Sequence, residues 1–109
     1  MTVKDVQALV HIQSAENLNA VNDHHITLKD ALVLPHTISV IVRQVKDGHI
    51  RDETSTVWLV GQENVPEGYK IILRSDGSQF GLASKGFPHD KAPIVVGWYG
   101  DLLTAFLGM

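Results

Sequence analysis

Between Tyr69 and Ser84 the chain spells a strand, a turn and a second strand, and this unit does most to limit the folds open to it. With Asp76-Gly77 read as a two-residue loop, Leu73 faces Phe80 and Ile71 faces Leu82. Tyr69 joins them on one face, while Lys70 and Arg74 fall on the other, as a sheet with one buried and one solvated face requires. The hairpin predicts antiparallel β-structure and, because its aromatic and aliphatic residues share one side, a scaffold rather than a site.

The stretch Thr37–Val45 alternates Ile38, Val40 and Val42 against Ser39, Ile41 and Arg43 and is rich in β-branched residues, so it reads as another strand. Asp47-Gly48 follows, a dipeptide suited to the positive φ angles of tight hairpin turns. A two-residue turn there sets Val45 against Ile50 and Arg43 against Asp52, both sensible pairs. The same register sets Val42 against Glu53 and Val40 against Ser55. The polar run Arg51–Thr56 therefore reads as an exposed strand end, bulge or loop before a strand at Thr56–Gly61. Gly86–Lys91 reads as a loop. Pro93–Tyr99 reads as a strand apolar on both faces, which is expected to be covered. Gly100-Asp101 then opens a short C-terminal helix, Asp101 lying at the positive end of its dipole. Leu102, Leu103, Phe106 and Leu107 make that helix apolar around most of its girth, so it must bury itself against the sheet or another subunit.

The first third is ambiguous. Val3, Val6, Leu9 and Val10 recur at helical spacing, whereas Ala8, Val10 and Ile12 alternate as a strand would. Asn17–His25 reads as a loop. Thr27 with Asp30 resembles an imperfect capping box opening a helix that Pro35 ends, and an edge strand through Val33 competes with it. The fold class that results is α+β, a single domain over 1–109. Its antiparallel curled sheet has about five strands from residue 37 onward, or forms a small open barrel, with a short N-terminal segment and a C-terminal helix.

Composition closes off several functions. With 44% hydrophobic and 19% charged residues the chain is an ordinary globular protein. It has no cysteine, which removes disulfides and thiolate chemistry and favours a reducing, cytoplasmic setting. No basic leader followed by an apolar run opens the chain, so no signal peptide is expected. The most apolar stretch, Pro93–Met109, falls short of the ~20 apolar residues a membrane helix needs, so no membrane partner is expected. The net charge of −3 with no Lys/Arg cluster argues against a nucleic-acid partner. Protonating all six histidines would reverse the sign of that charge, which bears on solubility and self-association.

No motif carries a catalytic reading. Gly81–Gly86 has its lysine and glycine in the wrong order for a phosphate loop, and Ser84, His89 and Asp90 lack a nucleophile elbow. Asp52-Glu53 and Glu63/Glu67 read as solvated charge. His24 and His25 are the metal candidates, with Asp23 and His36 nearby in sequence, although no paired ligand spacing joins them. His36, Phe87, His89, Trp98, Tyr99 and Asp101 are the ligand-binding candidates. Trp98 and Tyr99, being consecutive on a strand, must point to opposite faces, and burial under the C-terminal helix is the favoured fate. No catalytic residue and no cofactor are expected. The function anticipated is a small non-enzymatic interaction protein, self-associating through its apolar C-terminal region or binding a protein partner. A small-molecule pocket between sheet and helices, worked by histidine and aspartate, is the alternative.

Overall fold

A computed structural model describes the whole chain, Met1–Met109. Helix α1 (Val3–Ser14) resolves the first ambiguity in favour of the helix, and its start explains why. Thr2 accepts the Asp5 N–H at 3.2 Å and the Asp5 carboxylate accepts the Thr2 N–H at 2.9 Å, so two orphan donors of the first turn are satisfied reciprocally. Both readings of the next segment hold in part. Thr27 caps a single helical turn, α2 (Leu28–Ala31), and the chain passes directly into β1 (Leu32–Lys46), which runs through Pro35 instead of stopping there. Pro35 lies in the register irregularity between Leu32 and His36, where a missing N–H disrupts no regular ladder.

Strands β2 (His49–Gln62), β3 (Lys70–Arg74), β4 (Phe80–Ser84) and β5 (Ile94–Gly100) follow, then helix α3 (Leu102–Leu107). The five strands are joined in sequence order by antiparallel pairing and close into a barrel. The closing seam is a parallel contact of β1 with β5, Ile41 opposite Ile94, with the Ile41 N–H donating to the Pro93 carbonyl at 2.8 Å. The sheet is thus mixed where sequence patterning suggested antiparallel pairing throughout.

Closure gives the sheet two buried faces. Val40, Val57, Ile72 and Ala83, with Val95 packed against them, supply one residue from each strand to a small cluster. Alternation puts Trp58, Val60, Ile71, Leu73, Phe80 and Leu82 on the opposite face, where they pack with Val6, Leu28, Ala31, Leu102, Ala105 and Phe106 of the helices. Because the helices cover that second face, the first is the inside of the barrel. Lys70 and Arg74 share the inner face with Ile72 and are half-buried, not the exposed pair the hairpin pattern implied. Two further expectations change. Val96 is half exposed, so β5 is not covered on both sides. The polar run Arg51–Thr56 is regular strand, continuous from His49 to Gln62.

The two Asp-Gly turns exchange roles. Leu73 pairs with Phe80 and Ile71 with Leu82 as anticipated. Yet the loop spans Ser75–Ser78, since the Arg74 N–H donates to the Gln79 carbonyl and the Gly77 N–H to the Arg74 carbonyl. Only Gly77 of that loop has positive φ, 79°. The true two-residue turn is Asp47-Gly48, with φ of 54° and 75° and Lys46 paired with His49, the mirror-image geometry that matches strand twist.

Gly81 is the tightest point inside the barrel. A Cβ there would meet the Gly97 carbonyl oxygen and lie 2.6 Å from Trp98 Cε3. Gly81→Ala is expected to destabilise the fold by about 3 kcal/mol through overpacking against backbone. Gly48→Ala, strained in φ but with no atom within 4 Å of its new methyl, is expected to cost about 1 kcal/mol. Denaturant unfolding of the two variants checks this ranking, and equal midpoints would contradict it.

Candidate functional site

β1 and β2 are the two long strands, and both outrun the barrel. Past Ile41, β1 pairs only with β2, and before Val57, β2 pairs only with β1. Val42–Lys46 and His49–Glu53 therefore form a two-stranded ribbon beyond the barrel wall, with Thr54–Thr56 at its root opposite Ile41, Val40 and Ser39. Its register is regular, with Val45 opposite Ile50, Gln44 opposite Arg51, Arg43 opposite Asp52 and Val42 opposite Glu53. At the tip, Val45 and Ile50 stand side by side at 77% and 69% exposure, among the most exposed apolar residues of the chain.

The base of the ribbon is pinned by one guanidinium. Arg43 Nε and Nη2 donate to the two Asp52 oxygens at 2.8 Å each. Nη2 and Nη1 also donate to Asp90 at 2.7 and 3.4 Å. Asp90 is nearly inaccessible, with a side-chain exposure of 4%, and its Oδ2 also accepts the Phe87 N–H at 2.7 Å. The forked geometry of arginine lets one side chain fasten both the opposite strand and the Gly86–Lys91 loop. Hydrogen bonds from Arg43, outweighing desolvation, hold the Asp52 and Asp90 carboxyls below their ordinary range and raise the guanidinium further above its own. On this loop Phe87 is 65% exposed and stacks on His89, with ring centres 5.8 Å apart and planes 6° from parallel. The His89 ring nitrogen lies 3.7 Å from Asp90. With the Asp90 oxygens engaged by Arg43 and the Phe87 N–H, this corner is a clamp with an aromatic pair on its outer side.

The other ligand-binding candidates are dispersed. His36 is exposed on β1, its Nδ1 3.1 Å from the Leu34 carbonyl oxygen. Trp98 packs against the inner cluster, with the Arg74 guanidinium 4.1 Å from its ring centre, so it closes the barrel mouth instead of lying under α3. Tyr99, 37% exposed, belongs to neither buried cluster. Asp101 is occupied as the α3 cap, accepting the Thr104 N–H at 2.7 Å, and hydrogen bonding from the Thr104 side chain and then its backbone holds the carboxyl below the usual range.

His24 and His25 do not converge with His36 or Asp23, and nowhere do three His, Asp or Glu side chains gather in a manner that could hold a metal. Instead His24 Nδ1 lies 3.0 Å from Glu63 Oε2 and its ring stacks on Tyr69 at 6.0 Å. Glu63 Oε1 accepts the Tyr69 N–H at 3.1 Å, so this carboxylate, read from sequence as solvated, ties two loops together. Asn22 shapes the histidine loop by accepting the His24 and Ile26 N–H groups, and His25 sits at φ 62°. The concave sites are small. A groove of about 270 Å³ between α1 and β1, lined by Val10, His11, Leu18, Leu32 and Leu34, is the most apolar. The barrel mouth at Ser55, Arg74 and Trp98 holds about 100 Å³. Both fall below the roughly 300–1,000 Å³ of ordinary ligand sites, a range that only an open, mostly polar hollow of about 340 Å³ at Gln62–Pro66 and Lys70 enters.

The clamp has a pH signature. Carboxyls held low in the folded state contribute stability that is complete above roughly pH 4, and it is lost as pH falls through their lowered values. The stability gap between the native chain and Arg43→Gln is therefore expected to be widest at neutral pH. It should narrow steadily below roughly pH 4, where Asp52 and Asp90 protonate. Denaturant titrations from pH 7 to 2.5 check this, and a constant gap would contradict it.

Compared with protein-family models, curated proteins and solved structures, the chain matches none, so the site is read from its own geometry.

Proposed function

We propose that this chain is a small non-enzymatic interaction protein that self-associates as a homodimer, with the β1–β2 ribbon as its contact element. The observation that carries this reading is the pairing of Val45 and Ile50 at the ribbon tip, beyond the reach of either buried cluster. Fully burying such side chains is worth about 1.5–3 kcal/mol each, a stabilisation the isolated fold forgoes and a partner would recover. Rigid register and a two-residue turn present the pair without loop entropy to freeze on binding.

The C-terminal region is less well suited to this role than its composition implies. Leu102, Ala105 and Phe106 are fully buried and Met109 is 6% exposed, so most of the apolar girth of α3 packs on its own core, with Leu107 left 47% exposed. Nor does the ribbon read as a nucleic-acid finger, since Lys46 and Arg51 are balanced by Asp47 and Glu53. A cytoplasmic setting remains part of the reading, supported by the absence of cysteine. No helix is long and apolar enough to cross a membrane. The alternative of a small-molecule pocket has less support, because the α1–β1 groove is small and no carboxylate lines it.

Light scattering coupled to gel filtration tests the proposal. The mass is expected to double as concentration rises into the high micromolar range. The double variant Val45→Ser/Ile50→Ser should weaken association about tenfold or more, in line with the apolar surface removed. A native chain that stays monomeric throughout would overturn it.

A further inference from the structure

We infer that two copies of this chain join through the free edge of β2, antiparallel and centred on Asp52, to form a continuous four-stranded ribbon. This rests on the reading that the chain self-associates through the ribbon, and it specifies the atoms involved.

Hydrogen-bond phase comes first. In a two-residue hairpin the closing pair, here Lys46 and His49, exchanges backbone bonds, and bonded and non-bonded pairs then alternate. Gln44/Arg51 and Val42/Glu53 are bonded pairs. Val45/Ile50, Arg43/Asp52 and Ile41/Thr54 turn their backbone groups outward. The Ile41 N–H does so in the fold, where it meets the Pro93 carbonyl on the far side of β1. On β2 the outward residues are Ile50, Asp52 and Thr54, and no strand lies beside them. An exposed edge of this kind is a template for another strand.

Charge then selects the register. A two-fold axis through Asp52 sets Asp52 against its own copy and Ile50 against the second copy's Thr54, so every outward group meets another. It also sets Arg51 against the second copy's Glu53, twice over. An axis at Arg51 or at Glu53 would likewise set one charge against its own copy, but without these two opposite-charge pairs beside it. The facing Asp52 pair is flanked by both Arg43 side chains, each already bonded to its own Asp52. On the same face, the row Val45, Ile50, second-copy Thr54 and second-copy Ile41 gives the exposed apolar pair neighbours on the new sheet.

Charge reversal decides the matter, read by light scattering at concentrations where the native chain has doubled its mass. Arg51→Glu and Glu53→Arg each create like-charge pairs across the axis and should weaken association about tenfold or more. Mixing the two variants restores opposite charges at both positions, so a complex of doubled mass should reappear, as it should for the Arg51→Glu/Glu53→Arg double variant alone. Recovery on mixing also shows that each variant is folded. If both single variants associate as the native chain does, or mixing restores nothing, edge pairing at this register is wrong while self-association stands. A native chain that never doubles its mass removes both.

Discussion

Five strands would make only a curled sheet without the seam at which Ile41 meets Ile94 and donates its N–H to Pro93. That one parallel contact encloses the cluster of Val40, Val57, Ile72, Ala83 and Val95, giving β2, β3 and β4 two apolar faces instead of one. It also decides where the barrel ends along β1. Everything past Ile41 must leave the wall, and because β2 follows β1 residue for residue, the two leave together as a ribbon. A barrel this small abolishes its sheet edges only by expelling excess strand length, and the expelled length has edges of its own.

Arg43 sits two residues beyond the seam, where the ribbon departs. By holding Asp52 across the ribbon and Asp90 in the loop before β5, it fixes the angle of departure and the seam with one planar group. On the opposite side of the barrel the helices form a lid over the outer face of β2–β4. The Gln13 side chain ties α1 to α3 by accepting the Leu102 N–H at 2.7 Å. The β1–β2 hairpin is thus fastened at the base of its ribbon by Arg43 and at its barrel end by the helices packed on Trp58 and Val60. What it exposes at the tip is held in place by covalent geometry and register, not by chance packing.

Patterning along the chain made the strands legible where one face is apolar and the other polar, as at Thr37–Val45, and it gave the register of Tyr69–Ser84. It failed where tertiary closure overrides local periodicity. Arg51–Thr56 carries no apolar stripe, because the ribbon and its root at the barrel mouth have no core to face, and its strand state comes from pairing alone. The Asp47-Gly48 register looked unsound because Val40 faced Ser55; in the fold Val40 fills the barrel while Ser55 lies at its mouth, so the mismatch marks the wall. Of the candidate site residues, Phe87 and His89 are brought together, while Trp98 and Asp101 are occupied by structural work. The Arg43–Asp52 pair was legible in the Asp47-Gly48 register, whereas the hold of Arg43 on Asp90 and of Glu63 on His24 joins residues far apart in sequence that no local signal connects.

Hydrogen exchange resolved to single amides reaches the central claim most directly, because association through the β2 edge covers particular N–H groups. At low concentration the amides of Ile50, Asp52 and Thr54 point to solvent and should exchange freely, while those of Arg51 and Glu53, bonded to β1, are slower. On concentration into the associated state the first three should become protected together, with little change elsewhere on the barrel. If those three amides stay unprotected while the mass doubles, the ribbon edge is not where the copies meet.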